Sequence, residues 1–296
     1  MTYKPLSPTG TAWFTTFSTN GSLWSNNNGA TWNVLNTVLN TTKSCGIWTN
    51  SGLIYHCNGT DSFARNSTGS GSYISSFTGF GPRYINSTTN KDNFIGLGGT
   101  SLISITRDTG FTWKNYSLTT VDNWRSISYG GGIYCAIASG SNANVSSDGM
   151  NWTQSTLPVS QDWSSITYNN NKFIAVAKQS KIGAFSFNGI DWTTFMLPIA
   201  LQWNEIQFDE ITGKTIIIPS NSTYIAISDD GLSYKLYDIL TSTVKPQVCA
   251  FGSGIILVAG ETTEANSIIV NSGTFTTPLI NPLGSGINIQ NFFIKT

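Results

Sequence analysis

The chain of 296 residues carries 15 basic and 15 acidic side chains, so its formal net charge is zero, and charged residues make up only 10% of it. A protein that neutralises nucleic-acid phosphates needs a basic stripe on its surface, which argues against nucleic acid as a partner. No run of eighteen apolar residues is present, so the sequence predicts no membrane insertion through an apolar helix.

Strand signals begin almost at once. The first residues, MTYKPLSPTGTAWF, lack the apolar core of a signal peptide, and the strand pattern has already started at Thr11. Stretches with a helical period are nearly absent, whereas Asn, Ser, Thr and Gly are abundant. We therefore expect an all-β protein that is not secreted.

The clearest unit of the pattern is the stretch 161–198. It contains two alternating strands around an Asn-rich turn (WSSITY, NNN, KFIAVA), a third strand, the polar turn SFNGIDW, and a fourth strand that ends at Pro198. Four strands in about forty residues is the size of one blade of a β-propeller. The preceding stretch repeats the same order of features with different residues.

An aromatic residue closes the polar turn of each repeat at a nearly constant spacing of 39 to 42 residues. These residues are Trp32, Tyr73, Trp113, Trp152, Trp192, Tyr234 and Phe275. The spacing predicts a single domain, 1–296, that is a seven-bladed β-propeller of four-stranded antiparallel blades.

The turns before these aromatic residues share a local chemistry. Their clearest copies read SNNNGATW (25–32), TRDTGFTW (106–113), SSDGMNW (146–152), SFNGIDW (186–192) and SDDGLSY (228–234). Asp or Asn can accept hydrogen bonds from backbone amides two residues on, Gly can take a positive φ, and the aromatic residue can fill the space between neighbouring sheets. The two longer copies resemble the Asp box of BNR-type propellers, and the shorter ones look like a related form.

The two ends of the chain complement each other in this pattern. The first repeat lacks its opening strand, because the chain reaches TAWFTTF (11–17), a second-strand sequence, directly. The segment INIQNFFIKT (287–296) is an opening strand with no blade after it. We expect 287–296 to pair into the N-terminal blade and close the ring, because closure would hide both open sheet edges.

A second periodic residue suggests a ligand-binding rim. Trp124, Trp163 and Trp203 open three successive repeats. They stand in the loop sequences TTVDNWR, PVSQDWS and PIALQWNE. The candidate rim consists of Trp124, Trp163, Trp203, Asp122, Arg125, Asp162 and Glu205, with Arg83 and Tyr84 from the repeat before. Indoles that stack on a sugar ring, with carboxylates that bind its hydroxyl groups, would make a glycan site. Packing between blades would place tryptophans at the same positions, so both interpretations stay open.

The cysteines and the histidine give little sign of a metal or a cofactor. A hairpin centred on Ser51 would put Cys45 directly across from Cys57, but we expect free thiols, because nothing points to secretion. His56 is the one histidine, and there is no CxxC motif and no carboxylate cluster with ligand spacing. We expect no metal and no cofactor.

Catalysis has equally weak support in the sequence. Sialidases resemble this chain in their Asp boxes, and the resemblance would imply three arginines around one substrate carboxylate, a Tyr nucleophile and a Glu partner. This chain has four scattered arginines, at 65, 83, 107 and 125, and Arg107 lies inside a turn away from the axis. Paired glycosidase carboxylates need a separation of roughly 5–10 Å, which the candidate rim would meet only by accident. We therefore expect that the protein is not an enzyme.

The repeats as a whole, W-x-x-I-x-Y-x-N-x-x-F-I-A-V-A followed by S-x-D-G-x-x-W, resemble those of phage tail fibres and other virion-associated proteins. The resemblance implies a structural or attachment component of a virus particle, with a bacteriophage as the expected source, assembled in the host cytoplasm. Its partners would be other virion proteins or a host surface glycan. The alternative is a lectin-type receptor-binding protein that uses the tryptophan rim, and a glycosidase or sialidase is the third possibility.

Overall fold

The computed structural model is all-β, with no helix among the residues that it describes. Backbone and side chains are described for residues 95–97, 101–108, 112–169, 171–209, 212–220, 222 and 224–237, and the backbone alone for the parts of the strands that lie outside these ranges. The turn aromatics Trp32, Tyr73 and Phe275 lie outside the described residues, as does Arg83.

The strands are short and follow one another closely along the chain. The first eleven are β1 (Trp13–Ser18), β2 (Gly21–Ser25), β3 (Asn33–Val34), β4 (Lys43–Thr49), β5 (Gly52–Cys57), β6 (Ser62–Asn66), β7 (Ser76–Thr78), β8 (Tyr84–Ser87), β9 (Phe94–Leu97), β10 (Leu102–Thr106) and β11 (Lys114–Ser117). The next ten are β12 (Trp124–Gly130), β13 (Ile133–Ala138), β14 (Gly140–Ser146), β15 (Thr153–Gln161), β16 (Trp163–Asn169), β17 (Lys172–Ser186), β18 (Thr193–Asp209), β19 (Lys214–Pro219), β20 (Tyr224–Ser228) and β21 (Lys235–Asp238). The last five are β22 (Lys245–Gly252), β23 (Ile255–Glu261), β24 (Glu264–Asn271), β25 (Leu279–Ser285) and β26 (Asn291–Lys295).

Most strands pair antiparallel with their neighbours in sequence. Strands β8 to β11, β12 to β15 and β22 to β25 form three four-stranded sheets. Strands β16 to β21 form one sheet of six, because β17 and β18 are long enough to pair twice: β17 pairs with β16 and then with β18, and β18 continues into a pairing with β19.

The last strand pairs with the first. β26 runs antiparallel to β1, with Lys295 opposite Trp13 and Asn291 opposite Phe17. One parallel pair, Lys295 with Trp48, links β26 to β4, so the sheet order is β3-β2-β1-β26-β4-β5-β6-β7.

A shift of register recurs near the beginning of the opening strands. It lies between Trp124 and Ser126 in β12, between Trp163 and Ser165 in β16, and between Lys43 and Cys45 in β4. Such a β-bulge leaves one residue out of the ladder. The register that starts with Thr49 opposite Gly52 places Cys45 opposite His56, and beyond the bulge Cys57 lies opposite Lys43. The expectation that Cys45 faces Cys57 is therefore wrong.

The core lies between consecutive sheets. In β13, Ala136 packs with the β9 and β10 residues before it, while Cys135 and Ile137 pack with the sheet after it. In β17, Phe173 and Ala175 face the preceding sheet, and Ile174 and Val176 pack with residues of β18, β19 and β20. A middle strand that is buried on both faces needs an uninterrupted apolar sequence, which explains IYCAIA and FIAVA.

The predicted turn chemistry is confirmed where side chains are described. The Asp148 carboxylate accepts hydrogen bonds from the backbone N–H groups of Met150 and Asn151, each at 2.8 Å. Asn188 and Asp230 accept the corresponding pairs of N–H groups in their own turns. Hydrogen bonds to the carboxylate hold the pKa of Asp148 well below its usual range. The backbone N–H of Asn151 has the largest effect, followed by the Asn151 side-chain amide and the backbone N–H of Met150.

The turn glycines have the positive φ predicted for them, and Gly231 also packs closely against neighbouring strands. Gly149, Gly189 and Gly231 have φ values of 74°, 72° and 77°, in the left-handed region that favours glycine. A Cβ on Gly231 would lie 2.3 Å from Ile174 Cδ1 and 2.6 Å from Asn169 Nδ2. The turn therefore packs so closely against β16 and β17 that no side chain fits at Gly231.

We expect Gly231→Ala to lower the free energy of unfolding by about 2–4 kcal/mol, the sum of left-handed strain and overpacking. Gly132→Ala is the matched control, since Gly132 has a φ of 82° and open space where a Cβ would be. The control substitution should lower the free energy of unfolding by the left-handed strain alone, about 1–2 kcal/mol. Urea unfolding of both variants measures the difference, and equal losses would show that the close packing contributes nothing.

Two turns form the same side-chain hydrogen bond with the carboxylate and the amide exchanged. In one, Asn151 Nδ2 donates to Asp148 Oδ2 at 2.7 Å. In the other, Asn188 Nδ2 donates to Asp191 Oδ2 at 2.8 Å. Each turn therefore holds a single carboxylate at this pair of positions.

Asn188→Asp should lower the free energy of unfolding at pH 7 by about 1 kcal/mol or more, because it places two carboxylates at hydrogen-bond distance. The double variant Asn188→Asp/Asp191→Asn should recover this loss, because it reproduces the arrangement of Asp148 and Asn151. Urea unfolding at pH 7 and at low salt measures the coupling between the two sites. Additive effects of the two substitutions would contradict the single-carboxylate requirement.

Candidate functional site

The three tryptophans of the candidate rim lie in the core. Trp124, Trp163 and Trp203 have no exposed surface. Each indole N–H donates to the backbone carbonyl oxygen four residues before it, at 3.2, 3.2 and 3.3 Å; these acceptors belong to Thr120, Val159 and Ile199. The sugar-stacking role is therefore corrected for these residues, because a buried indole has no face open to a ligand.

The residue after Trp124 and the residue after Trp163 stand at the bulge and contact the next repeat. Ser164 Oγ donates to the carbonyl oxygen of Trp203 at 2.7 Å, and it lies 3.1 Å from the carbonyl oxygen of Val176. Arg125 occupies the same position one repeat earlier and reaches Asp162 in the loop before β16. In these two repeats the bulge turns one side chain out of the ladder and towards the neighbouring repeat.

Arg125 and Asp162 are the two predicted site residues that the structure brings together. Their Nη2 and Oδ1 atoms are 3.4 Å apart, and the side chains are 25% and 46% exposed. An ion pair with this exposure contributes about 0–1 kcal/mol. Arg125 Nε is buried and has no hydrogen-bond partner among the described residues.

The other predicted residues do not join this pair. Asp122 accepts hydrogen bonds from Asn142 Nδ2 and from the backbone N–H of Asn123, both at 2.6 Å. Glu205 accepts one from Gln207 Nε2 at 2.7 Å. Tyr84 is the first residue of β8, and its side chain lies outside the described residues, as does the whole of Arg83.

The sequence interpretation missed an apolar surface on the repeat 161–198. Phe187 and Met196 are each 64% exposed, and Ile190 is 52% exposed. The signal was present in the repeats, since Phe187 stands in the turn position that Ser147 and Asp229 occupy in the neighbouring copies. Comparing the solvent-facing positions of successive turns would have found it.

Within the ranges whose side chains are described, no three His, Cys, Asp or Glu residues are grouped so that they could hold a metal ion. In the part of the chain that the structure describes, no helix is long and apolar enough to cross a membrane. Cys135 is a free, fully buried thiol, and burial raises its pKa well above the usual value, so it stays protonated at neutral pH.

Comparison with solved structures identifies the fold. The chain is similar to virginiamycin B lyase from Staphylococcus aureus, with a TM-score of 0.74 and 15% identity over 87% of this chain and 90% of that one. It is also similar to YCF48 bound to D1 peptide (TM-score 0.66, 14% identity, 88% and 94% covered) and to AztD from Citrobacter koseri (0.66, 8%, 96% and 98%). No protein-family model matches the sequence, and no curated protein matches it. The fold is a β-propeller.

The comparison corrects one expectation. We expected from the arginine count and the carboxylate spacing that the protein is not an enzyme. Virginiamycin B lyase is an enzyme with a similar fold over most of both chains, so the exclusion of catalytic activity does not stand. The sialidase pattern tests one reaction class only, and its absence says nothing about a propeller that acts in another way.

Trp163→Ala should lower the free energy of unfolding by about 3–5 kcal/mol, because it removes a fully buried indole from between two sheets. Asp162→Ala, one residue away, is the control and should cost about 0–1 kcal/mol, since it removes only a half-exposed ion pair. Thermal and urea unfolding measure both variants. An unchanged melting temperature of Trp163→Ala would restore the rim interpretation.

Proposed function

We propose that the chain is a closed seven-bladed β-propeller that docks a protein partner through the outer surface of the repeat 161–198. The observation that carries the proposal is the exposure of Phe187, Ile190 and Met196 on this repeat. When a partner covers large exposed apolar side chains, their removal from water stabilises the complex.

Contacts between strands support the seven-bladed ring. The opening strands contact one another in a cycle: β4 with β8, β8 with β12, β12 with β16, β16 with β18, β18 with β22, β22 with β26, and β26 with β4. A ring of seven blades requires seven opening strands in such a cycle. The antiparallel pairing of β26 with β1 supports closure by the segment 287–296.

A comparison of the repeats with each other supports the docking surface. Phe187 corresponds to Ser147 and Asp229 in the neighbouring turns. Met196, four residues after the turn aromatic, corresponds to Thr156 one repeat earlier. The same fold is thus built in this chain with polar residues at these two positions, so folding does not require Phe187 or Met196, whereas Ile190 aligns with the apolar Met150 and Leu232.

The nature of the partner is inferred from two observations. YCF48, which has a similar fold, has been solved with a D1 peptide, so a propeller of this shape binds a segment of another protein in that case. The resemblance of the repeats to those of phage tail fibres favours a virion protein as the partner here, with assembly of the particle in the host cytoplasm. The glycan alternative required exposed indole rings, and the three tryptophans do not expose theirs.

The test is site-specific photo-crosslinking in cells that produce the particles. Benzoylphenylalanine is placed at Phe187 and at Met196, and the matched controls carry it at Ser147 and Thr156, the corresponding positions of the neighbouring repeat. We expect one dominant adduct from the first two sites, with a protein of the same particle, and at least about tenfold less from the controls.

Equal adduct formation from all four sites would overturn the docking surface. A specific adduct with a protein that is not part of a particle would keep the surface and overturn the virion assignment. The double variant Phe187→Ser/Met196→Thr should abolish the association and leave the melting temperature unchanged, because both residues are mostly exposed.

A further inference from the structure

The closing strand is attached to its partner differently from the other opening strands. β12 and β16 run through short turns into the strands with which they pair, β13 and β17. β26 pairs with β1, from which almost the whole chain separates it. Backbone pairing with β1 over five residues, together with contacts to β4 and β22, therefore keeps β26 in place without a hairpin.

The edge of β1 is a specific acceptor for an extended segment. On one side β1 pairs with β2, from Phe14 opposite Ser25 to Ser18 opposite Gly21. The other side is taken up by β26, in antiparallel register from Trp13 to Phe17. Without β26 this edge would present free backbone N–H and C=O groups, which are a template for another strand.

We propose that this closure is exchangeable: the segment 291–295 of one copy pairs with β1 of a second copy and closes that ring. The inference rests on the closed ring proposed above. The backbone hydrogen bonds formed by a strand from a second copy are the same as those formed within one chain. The two states therefore differ only in the chain entropy of bringing the strand to its acceptor.

The connection to the closing strand sets the balance between the two states. Residues 286–290 join β25 to β26, and the same number of residues, 79–83, joins β7 to β8. The connection is therefore long enough for β26 to reach β1 of its own chain, at an effective concentration in the millimolar range. Free copies at micromolar concentration close their own rings, and copies held side by side at millimolar local concentration exchange strands.

The first test uses disulfide trapping in the full chain. Thr15 lies directly opposite Phe293, a spacing that a disulfide can bridge. In one chain, Thr15→Cys/Phe293→Cys should form an intramolecular disulfide under mild oxidation. Two single variants, Thr15→Cys and Phe293→Cys, are mixed, concentrated and oxidised, and mass spectrometry should find a covalent dimer joined at these positions. Roughly half of the chains should be joined at millimolar concentration, and almost none at about 10 μM.

The second test changes the length of the connection. Deletion of residues 287–289 should prevent closure within one chain, and light scattering should then find dimers or larger rings at micromolar concentration. Insertion of three Gly or Ser residues after Gly286 is the control and should leave the protein monomeric, because a longer flexible connection still permits closure.

The outcomes separate this inference from the proposal on which it rests. Absence of the intramolecular disulfide in the double-cysteine chain would overturn the closed ring, and the exchange with it. An intramolecular disulfide, together with no mixed dimer at millimolar concentration and a monomeric deletion variant, would overturn the exchange alone and leave the ring intact.

Discussion

The structure depends on apolar contact between sheets that are stacked face to face. Each described core cluster joins two consecutive repeats, because the buried residues of β13 and β17 divide between the repeats on either side. Burying both faces of a small sheet supplies the apolar area that four short strands could not bury alone. The turns, the bulges and the buried tryptophans hold neighbouring sheets at the distance that this contact requires.

Most of the fold could be predicted because its signals are local and repeated. The hydrogen bonds of Asp148 join residues two and three positions apart, and the positive φ of Gly149 follows from the same turn. The pairing of Cys45 with His56 differs from the prediction because Thr49 pairs with Gly52, whereas a hairpin centred on Ser51 would pair Thr49 with Leu53. In a hairpin the turn type and loop length fix the register, so a difference of one residue at the turn changes every pair along the two strands.

The candidate site was harder to predict, for a reason that its residues make clear. A tryptophan such as Trp163 recurs at the same place in each repeat whether it binds a sugar or fills the core, and only its burial distinguishes the two. The loop sequences placed both Arg125 and Asp162 in the candidate rim, and the structure pairs them. Phe187 stands out only where the repeats differ, because the residues that the turns share define the fold and not the exposed positions.

The exchanged positions of Asp and Asn in two turns affect how this gene can vary. Asp148 is matched with Asn151, and Asn188 with Asp191. Unequal crossing-over between these tandem copies, with a breakpoint between the two codons, would join Asp148 to Asp191 or Asn188 to Asn151. The first hybrid would bring two carboxylates together, and the second would have no carboxylate at this pair of positions. Recombinants that inherit the pair intact avoid both faults, so the two residues should be transmitted together as the copies diverge.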